Sequence, residues 1–303
     1  MLTHQYLEPK NPSRVVVIGG DGFIGKVFCT HLRTLGVQYV SPKSSEIDLL
    51  DSACEALSSI VESSDVVVML AAIMPGRGRN SEALIKNLVM MRNLLKALEK
   101  SNCSHLIHIS SDAVYNNEVH FVHNEERTAP QGLYGVMHLA RELMLKDFTK
   151  LPTLILRPTL VYGYGDTHDA YGLNRFIRTA NDMGEIFIFG SGEEMRDHIY
   201  VECVADFIMR CIRFKTTGVS FLASGVSKSF YDLAIFVTHQ FERKIEIVSV
   251  GRKNPITHRQ YDNSHLLKAF PDFNFIMPED GIIKVLTEMN LGINSIGDTN
   301  SRY

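Results

Sequence analysis

Residues 14–35 read RVVVIGGDGFIGKVFCTHLRTL. The first part, Val15–Ile18, is a short β-branched apolar run of the kind that forms a strand buried on both faces. Three glycines follow at intervals of three, Gly19, Gly22 and Gly25, and the apolar residues after them recur at helical spacing. The stretch therefore predicts a strand that turns tightly into a helix.

A helix that begins directly after such a turn can hold an anion. Its first N–H groups are unpaired and point at one spot, where the positive end of the helix dipole lies. Glycine is needed because a Cβ would keep the backbone away from a pyrophosphate or block packing of the helix on the strand. The prediction is a dinucleotide pyrophosphate site at Gly19, Gly22, Phe23 and Ile24. The alternative is a glycine-rich connection without a ligand.

The composition excludes several classes of function. A chain of 303 residues is long enough for one large or two ordinary domains. The net charge of −3, with both signs interspersed, gives no electrostatic basis for binding nucleic acid or a membrane surface. Five cysteines without a CxxC pair indicate reduced thiols in a cytoplasmic protein and no zinc site. No apolar run is long enough to span a bilayer, and residues 1–13 are predicted to form a loose arm.

Strand and helix patterns alternate after the glycine turn. Strands are predicted at 37–40, 65–72, 106–109, 153–157 and 219–225, and helices at 81–100, 134–149, 204–214 and 231–241. Parallel strands joined in this way need right-handed crossovers through helices. The predicted fold class is therefore α/β, with a doubly wound parallel sheet.

The end of the second strand bears on the choice of cofactor, because a dinucleotide fold contacts the adenosine ribose there. An acidic residue at this point would favour NAD. The chain has Ser41, Lys43 and Ser44 instead, which suit the 2′-phosphate of NADP, although Asp21 would repel that phosphate. The sequence leans to NADP over NAD; Lys43 could equally be an ordinary surface lysine.

A second group of polar residues follows the strand at 106–109. Ligands bind at the carboxyl ends of the strands in open parallel sheets, and this strand ends in Ser110 and Ser111. Tyr134 and His138 lie four residues apart in the next helical segment, so they share one face of that helix.

Several of these motifs, taken in order, resemble the extended short-chain dehydrogenase/reductase family, which includes nucleotide-sugar epimerases, dehydratases and reductases. The motifs are GGxGxIG at 19–25, DLxD at 48–51, LAA at 70–72, SSxxVY at 110–115, YxxxH at 134–138 and RPxxVYG at 157–163. The resemblance covers roughly residues 14 to 240. It implies a Rossmann domain at 1–165, completed by about 196–225. It also implies a smaller, mainly C-terminal α/β substrate lobe at 166–195 and 226–303.

The resemblance implies roles for individual residues. Tyr134 would be the general acid/base of hydride transfer and Ser111 would bind the same substrate oxygen, unless Ser111 is only a cap at the strand end. Further cofactor contacts would come from Asp48, Leu49, Ala71, Ala72, Lys43, Tyr134 and His138. A phenol has an ordinary pKa near 10, so the site must stabilise the phenolate if Tyr134 is to act as a base near neutral pH.

His138 departs from the family, which has a lysine at this position. Histidine is shorter and mostly neutral at pH 7, so it offers Tyr134 little electrostatic help. Three alternatives remain open. His138 replaces the lysine and works when protonated; or Tyr134 acts mainly as an acid in a reductase; or catalysis is lost and only binding is kept.

The substrate side is less decisive. Ala113 stands where the family's dehydratases have a glutamate that removes a proton, so dehydration is disfavoured; Asp112 remains, as a substrate contact or as a surface acid. Arg196 matches an arginine that grips the diphosphate or ribose, the alternative being a turn contact with Asp197. Other candidates are Asn174 for substrate and Arg175 and Arg178 for phosphate, whereas His168 and His198 are expected at the surface or in loops.

The resemblance thus implies an NAD(P)-dependent oxidoreductase or epimerase that acts on a nucleotide-activated sugar, by 4-keto reduction or 4-epimerisation. Two alternatives are a cofactor-binding protein with weak or no turnover and a reductase of a non-sugar ketone. Leu160 and Val161 favour the latter because they stand where the family has an asparagine. The family also pairs the helices at 81–100 and 134–149 in a homodimer, although core packing alone would explain their apolar stripes.

Overall fold

The computed structural model describes residues 1–51, 54–73, 81–148, 150–166 and 171–291. Its strands are β1 (Thr3–His4), β2 (Val15–Ile18), β3 (Tyr39–Val40), β4 (Val66–Met69), β5 (His105–Ile109), β6 (Phe121–Val122), β7 (Thr153–Pro158), β8 (Leu160–Tyr162), β9 (Glu185–Phe189), β10 (Met195–Tyr200), β11 (Thr216–Leu222), β12 (Ser227–Ser229), β13 (Glu246–Val250) and β14 (Gln260–Tyr261). Its helices are α1 (Phe23–Thr34), α2 (Cys54–Ile60), α3 (Ser81–Ser101), α4 (Leu133–Phe148), α5 (Leu173–Met183), α6 (Val201–Arg213), α7 (Phe230–His239), α8 (Ser264–Ala269) and α9 (Pro278–Glu288). None of these helices is long and apolar enough to cross a membrane.

A seven-stranded sheet forms the centre of the molecule, in the order β1-β11-β7-β5-β4-β2-β3. Every neighbouring pair is parallel except β1 with β11. The chain leaves β2 toward β3 on one side and continues to β4 on the other, which creates a switch point beside β2. The predicted doubly wound α/β fold is confirmed.

The strand β2 is buried on both faces, as its β-branched sequence predicts. Val15 and Val17 belong to one apolar cluster, which contains side chains of α1 and α6, whereas Val16 and Ile18 belong to another, which contains side chains of α2 and α3. All four side chains are at most 4% exposed. Successive side chains of a strand point to opposite faces, so a continuous apolar run is what a doubly covered strand requires.

The first residues of the chain do not form the loose arm that their polar composition predicts. Thr3 and His4 pair with β11 and extend the main sheet at its edge. The His4 ring is hydrogen-bonded to the Thr216 hydroxyl and the Ala269 carbonyl, and it packs on Phe270. These contacts join segments that are far apart in sequence, and a local pattern cannot reveal them.

Three smaller sheets lie outside the central one. They are β12-β10-β8, β13-β9 and β14-β6. The pair β14-β6 matters for the site, because it attaches residues from the C-terminal part of the chain beside the segment that follows β5. The division into a Rossmann domain and a substrate lobe remains a prediction, although β11 does lie in the central sheet, as that division requires.

Candidate active site

The glycine turn packs so closely that side chains are excluded from it. Gly19 has φ +94°, and a Cβ there would lie 2.7 Å from the amide nitrogen of Ala71 at the end of β4. A Cβ on Gly25 would lie 2.1 Å from the Gly19 carbonyl oxygen. Gly22 is the residue before α1, and the first turn of that helix has no acidic side chain. This glycine cradle at a helix N-terminus fits the pyrophosphate of a dinucleotide.

Phe23 and Ile24, the other predicted contacts of the pyrophosphate, begin α1 and are half-buried. Their position agrees with the expectation that they flank the cradle. Both roles remain predictions.

The predicted contacts with the adenosine end of the cofactor follow β3. The Ser41 hydroxyl lies against the glycine turn, where a Cβ on Gly20 would come within 1.9 Å of it, and it is hydrogen-bonded to the Cys29 thiol. Lys43 and Asp21 are exposed, and the Lys43 backbone N–H donates to Glu46. Ser41 therefore helps to hold the glycine turn, and the preference for NADP over NAD remains a prediction.

Other predicted cofactor contacts lie around the same crevice. The Asp48 carboxylate accepts from the Leu50 N–H at 2.8 Å, and the Leu49 carbonyl accepts from the Asn93 amide at 2.8 Å. Ala71 and Ala72 are half-buried at the end of β4, next to the glycine turn. Their small side chains leave the backbone accessible to a ligand at this edge.

Tyr134 and Ser111 are brought together at the carboxyl end of β5. Helix α4 packs against the short 3-10 helix Asp112–Val114 so closely that a Cβ on Gly135 would lie 2.1 Å from the Ala113 carbonyl oxygen. The Ser111 hydroxyl accepts from the Ala113 N–H at 3.1 Å and is also hydrogen-bonded to the Tyr134 hydroxyl. Ser111 is therefore a cap and also a partner of the predicted acid/base.

The environment of Tyr134 favours its neutral form. Burial of the hydroxyl raises the pKa of Tyr134 to about 12, and the charge of Asp112 acts in the same direction. The hydrogen bond from Ser111 and the positive charge of Arg141 act in the opposite direction. Tyr134 consequently carries its proton at neutral pH.

His138 lies beside Tyr134, with the ring centroids 4.6 Å apart and the ring planes nearly perpendicular. It is 2% exposed, and neither ring nitrogen has a hydrogen-bond partner among the described residues. Burial and, to a smaller extent, the charge of Arg141 lower the pKa of His138 to about 3. The structure therefore disfavours the alternative in which a protonated His138 replaces the lysine.

Arg141, which the sequence analysis did not single out, lies on the same face of α4. It is completely buried, and its Nη2 donates to the Ala71 carbonyl at 2.9 Å. Burial lowers the pKa of Arg141 to about 10, which leaves it charged at neutral pH. The spacing Tyr134, His138, Arg141 (i, i+4, i+7) was visible in the sequence, but burial of the arginine was not.

A buried ionic network supports the end of β5. Glu142 accepts hydrogen bonds from Ser110 and, through both carboxylate oxygens, from Arg157. A third nitrogen of Arg157 donates to the Tyr115 hydroxyl at 3.0 Å. Every charge in the network is thereby paired, and the Ser110–Ser111 backbone is held in place.

Asp112 is held by residues from the C-terminal part of the chain and is not the surface acid that the sequence allowed. The Tyr261 hydroxyl donates to its carboxylate at 2.6 Å, and an Arg259 nitrogen lies 3.8 Å from the same carboxylate oxygen. The side chains of Asp112 and Arg259 are 18% and 6% exposed. The sequence analysis missed Tyr261 and Arg259 because only the pairing of β14 with β6 brings them here.

The predicted substrate arginine also has protein partners. An Arg196 nitrogen lies 2.5 Å from Glu194 and donates to the Thr257 hydroxyl at 2.6 Å. The alternative contact with Asp197 is wrong, because that carboxylate accepts from Thr159 and Ser224.

Asn174 holds a loop with its side chain. Its amide oxygen accepts from the Gly163 N–H at 3.0 Å, and its amide nitrogen donates to Asp166 at 2.6 Å. Arg175 is half-buried on α5, and Arg178 donates to the Asp166 carbonyl. The arrangement gives Asn174 a part in shaping the 163–166 loop; substrate or phosphate contacts of these three residues remain predictions.

The expectation that His198 lies at the surface is wrong. It is 1% exposed in β10 and packs edge-on against Phe230. Burial lowers the pKa of His198 to about 4. His168 lies outside the described residues.

The glycine cradle, the switch-point crevice and the Ser–Tyr pair together define an NAD(P)-dependent enzyme of the extended short-chain dehydrogenase/reductase type. Residues 15–222 match the profile described as the NAD dependent epimerase/dehydratase family, which is more than half of the chain. The chain belongs to that family, and the resemblance noted from its motifs is confirmed.

The proteins to which the chain is similar include an epimerase and a synthase. The chain is 26% identical over 264 residues to N-acetyl-alpha-D-glucosaminyl-diphospho-ditrans,octacis-undecaprenol 4-epimerase of Escherichia coli O157:H7, covering 82% of this chain and 75% of the relative. It is 23% identical to GDP-L-colitose synthase of Yersinia pseudotuberculosis, covering 66% and 72%. The structure of RMD from Pseudomonas aeruginosa complexed with NADPH superposes with a TM-score of 0.79 at 22% identity, covering 91% and 98%.

Proposed function

We propose that this enzyme acts on a nucleotide-activated sugar by 4-keto reduction or 4-epimerisation, with Tyr134 as the acid/base. One observation carries the proposal: the Tyr134 phenol is hydrogen-bonded to Ser111 at the carboxyl end of β5, on the edge of the sheet that also holds the glycine cradle. Of the two named relatives, one is the 4-epimerase of a diphospho-linked N-acetylglucosaminyl group and the other is a GDP-L-colitose synthase, whose product name contains a nucleotide-activated sugar.

The protonation state of Tyr134 favours the reductive direction. When bound, a nicotinamide cofactor supplies the hydride. With a pKa of about 12, the Tyr134 phenol holds a proton at neutral pH and can donate it to a sugar carbonyl oxygen that gains a hydride. Ser111 would hold that oxygen beside the phenol. The same pair would have to work in reverse in an epimerase, which needs the phenolate for part of its cycle.

Dehydration finds no support at this site. Ala113 lacks a group that could remove a carbon-bound proton, and the carboxylate of Asp112 is occupied by Tyr261. The substrate's nucleotide would bind near Arg196 and Asn174, although both have protein partners, so these contacts require the substrate to share existing hydrogen bonds.

The cofactor proposed is NADP, with NAD as the alternative. The supporting feature is the end of β3, where Ser41 and Lys43 stand and no carboxylate follows the strand directly. Asp21 on the glycine turn works against this choice. A cytoplasmic location is proposed from the cysteines: Cys29, Cys103, Cys203 and Cys211 are all free thiols.

The function is tested by incubating the protein with NADPH or NADH and a panel of UDP-, GDP- and dTDP-linked 4-keto and 4-hydroxy sugars. We expect cofactor-dependent conversion of at least one nucleotide sugar, with NADPH bound about tenfold more tightly than NADH. Product analysis distinguishes reduction from epimerisation. Conversion of simple ketones but of no nucleotide sugar would contradict the substrate class.

A second candidate function is cofactor binding with weak or no turnover. The neutral, buried His138 favours it, because this residue cannot supply the charge that the usual lysine provides. The two candidates differ in one result: a binding protein would be stabilised thermally by NADP(H) yet convert none of the panel.

A homodimer is proposed through α3 and α4. These helices pack on each other and leave Ile85, Val136 and Leu143 exposed by 59%, 39% and 55%. We expect the double variant Val136→Glu/Leu143→Glu to elute as a monomer in size-exclusion chromatography, because two charges from each protomer would be buried in the interface. Met183→Glu, at an equally exposed apolar residue on α5, is the matched control and should remain dimeric.

A further inference from the structure

We propose that Arg141 supplies the fixed positive charge that stabilises ionised Tyr134, in place of the lysine that His138 replaces. Arg141 would thus be a positioning residue that acts through Tyr134. This inference rests on the proposed function, since it concerns the same acid/base. It assigns a task to a side chain that the motifs of the sequence do not single out.

The guanidinium of Arg141 lies on the face of α4 that carries Tyr134 and His138. Tyr134, His138 and Arg141 lie at i, i+4 and i+7, and side chains on a helix lean toward its N-terminus. The long arginine side chain therefore reaches back along the stripe toward His138 and Tyr134. Its Nη2 donates to the Ala71 carbonyl at 2.9 Å, which fixes it at the crevice edge between α4 and β4.

The charge on Arg141 has no structural partner that would explain it. A buried cation is normally paired with a carboxylate and has all its N–H groups bonded. The neighbouring Glu142 is already bonded to Arg157 and Ser110. Within the part of the chain that the structure describes, Arg141 forms no ion pair, and its Nε and Nη1 have no hydrogen-bond partner. Burying an unpaired guanidinium lowers the stability of the fold, and a role in stabilising ionised Tyr134 would explain why Arg141 is present.

The histidine at 138 is consistent with an arginine at 141. Two permanent cations side by side in a buried place would repel each other, whereas a neutral imidazole does not. Arg141 is itself one cause of the lowered pKa of His138. The positive charge is thus kept near Tyr134 but is moved along the helix from position 138 to position 141.

The other charged and titratable groups at the site do not supply this charge. Asp112, from the 3-10 helix, raises the pKa of Tyr134, and Arg259 and Tyr261 hold that carboxylate from β14 and its preceding residue. His108 of β5 faces Arg141, but its own pKa is lowered well below the ordinary value by burial. Among the groups that act on Tyr134, Arg141 is the cation.

The test measures ionisation of the residue at position 134 without any cofactor. 2,3,5-Trifluorotyrosine is incorporated at position 134 alone, and its ¹⁹F signal is followed against pH. Three ring fluorines bring the phenol's titration below the pKa of Arg141, which is about 10, so that the guanidinium stays charged throughout the measurement. We expect Arg141→Gln to raise the midpoint by about one pH unit. Arg141→Lys keeps the charge and should leave the midpoint within a few tenths of a unit.

A rescue variant separates charge from structure. In Arg141→Gln/His138→Lys the cation returns at the family's usual position, so the midpoint should fall back. In the unlabelled protein, kcat/KM should fall about tenfold in Arg141→Gln. It should stay near the wild-type value in Arg141→Lys and return toward that value in Arg141→Gln/His138→Lys. A melting temperature and a Kd for NADPH, measured for each variant, report folding and binding separately.

The outcomes are distinguishable. An unchanged ¹⁹F midpoint in Arg141→Gln overturns the role of Arg141, whatever happens to turnover. A raised midpoint that the second-site lysine does not lower also overturns it, because the effect would then be structural. Loss of the proposed function, by contrast, would appear as absent turnover in the wild-type protein and would leave the ¹⁹F result intact.

Discussion

Tyr134→Phe is expected to lower turnover of the nucleotide sugar by about 10³-fold while leaving the Kd for NADPH nearly unchanged. The substitution removes one hydroxyl, the group that donates to or accepts from the substrate oxygen. It keeps the ring, which packs edge-on against His138. The position of α4 is fixed independently by the close packing of Gly135 on the Ala113 carbonyl, so we expect Tyr134→Phe to leave the fold unchanged. Steady-state kinetics and a fluorescence titration of NADPH give the two numbers.

Tyr115→Phe is the matched control for this experiment. It removes another tyrosine hydroxyl from the residues that follow β5, but one that accepts from Arg157 in the buried network. We expect a loss of about 1 kcal/mol in the free energy of unfolding and less than a tenfold change in turnover. If the Tyr134→Phe variant converted the nucleotide sugar as fast as the Tyr115→Phe variant, Tyr134 would not be the acid/base.

The sequence predicted those parts of the site that depend on local geometry. The glycine turn follows from spacing within one strand–turn–helix unit, and the close contacts at Gly19 and Gly25 bear it out. Tyr134 and His138 share a helix face because they are four residues apart, and the structure places their rings in contact. Such relations need no knowledge of the tertiary fold.

The sequence could not predict relations that arise from packing between distant segments. Asp112 is bonded to Tyr261, which lies 149 residues further along the chain. His4 reaches across 265 residues to the Ala269 carbonyl. A charged residue on a helix, such as Arg141, is expected to be exposed to solvent, and only the folded structure shows that it is buried. The type of a polar residue does not indicate whether that residue is exposed or buried.

Acidification from about pH 7.5 to about pH 5.5 is expected to lower the free energy of unfolding by about 5 kcal/mol. Four histidines, His105, His108, His138 and His198, are at most 2% exposed. Burial lowers the pKa to about 4 for His105 and His198, to about 3 for His138, and well below the ordinary value for His108. In the unfolded chain each would titrate near 6.5.

The sign follows from proton uptake. Below pH 6.5 the unfolded chain binds protons at these four sites and the folded chain does not, so unfolding becomes more favourable as the pH falls toward the folded-state values. One unit below the unfolded pKa, each site contributes about 1.4 kcal/mol, and the sum is comparable to the whole stability of a typical protein. Urea unfolding at the two pH values measures the difference.

His198→Phe tests the origin of the effect. The ring of His198 packs edge-on between those of Tyr162 and Phe230. No side chain among the described residues is hydrogen-bonded to its nitrogens, so a phenyl ring can replace it. The pH dependence should then shrink by about a quarter, since one of the four sites no longer takes up a proton on unfolding. His120→Gln, at an exposed histidine, should leave the full dependence in place. Equal pH dependence in the wild type and His198→Phe would mean that carboxylates, not buried imidazoles, govern unfolding by acid.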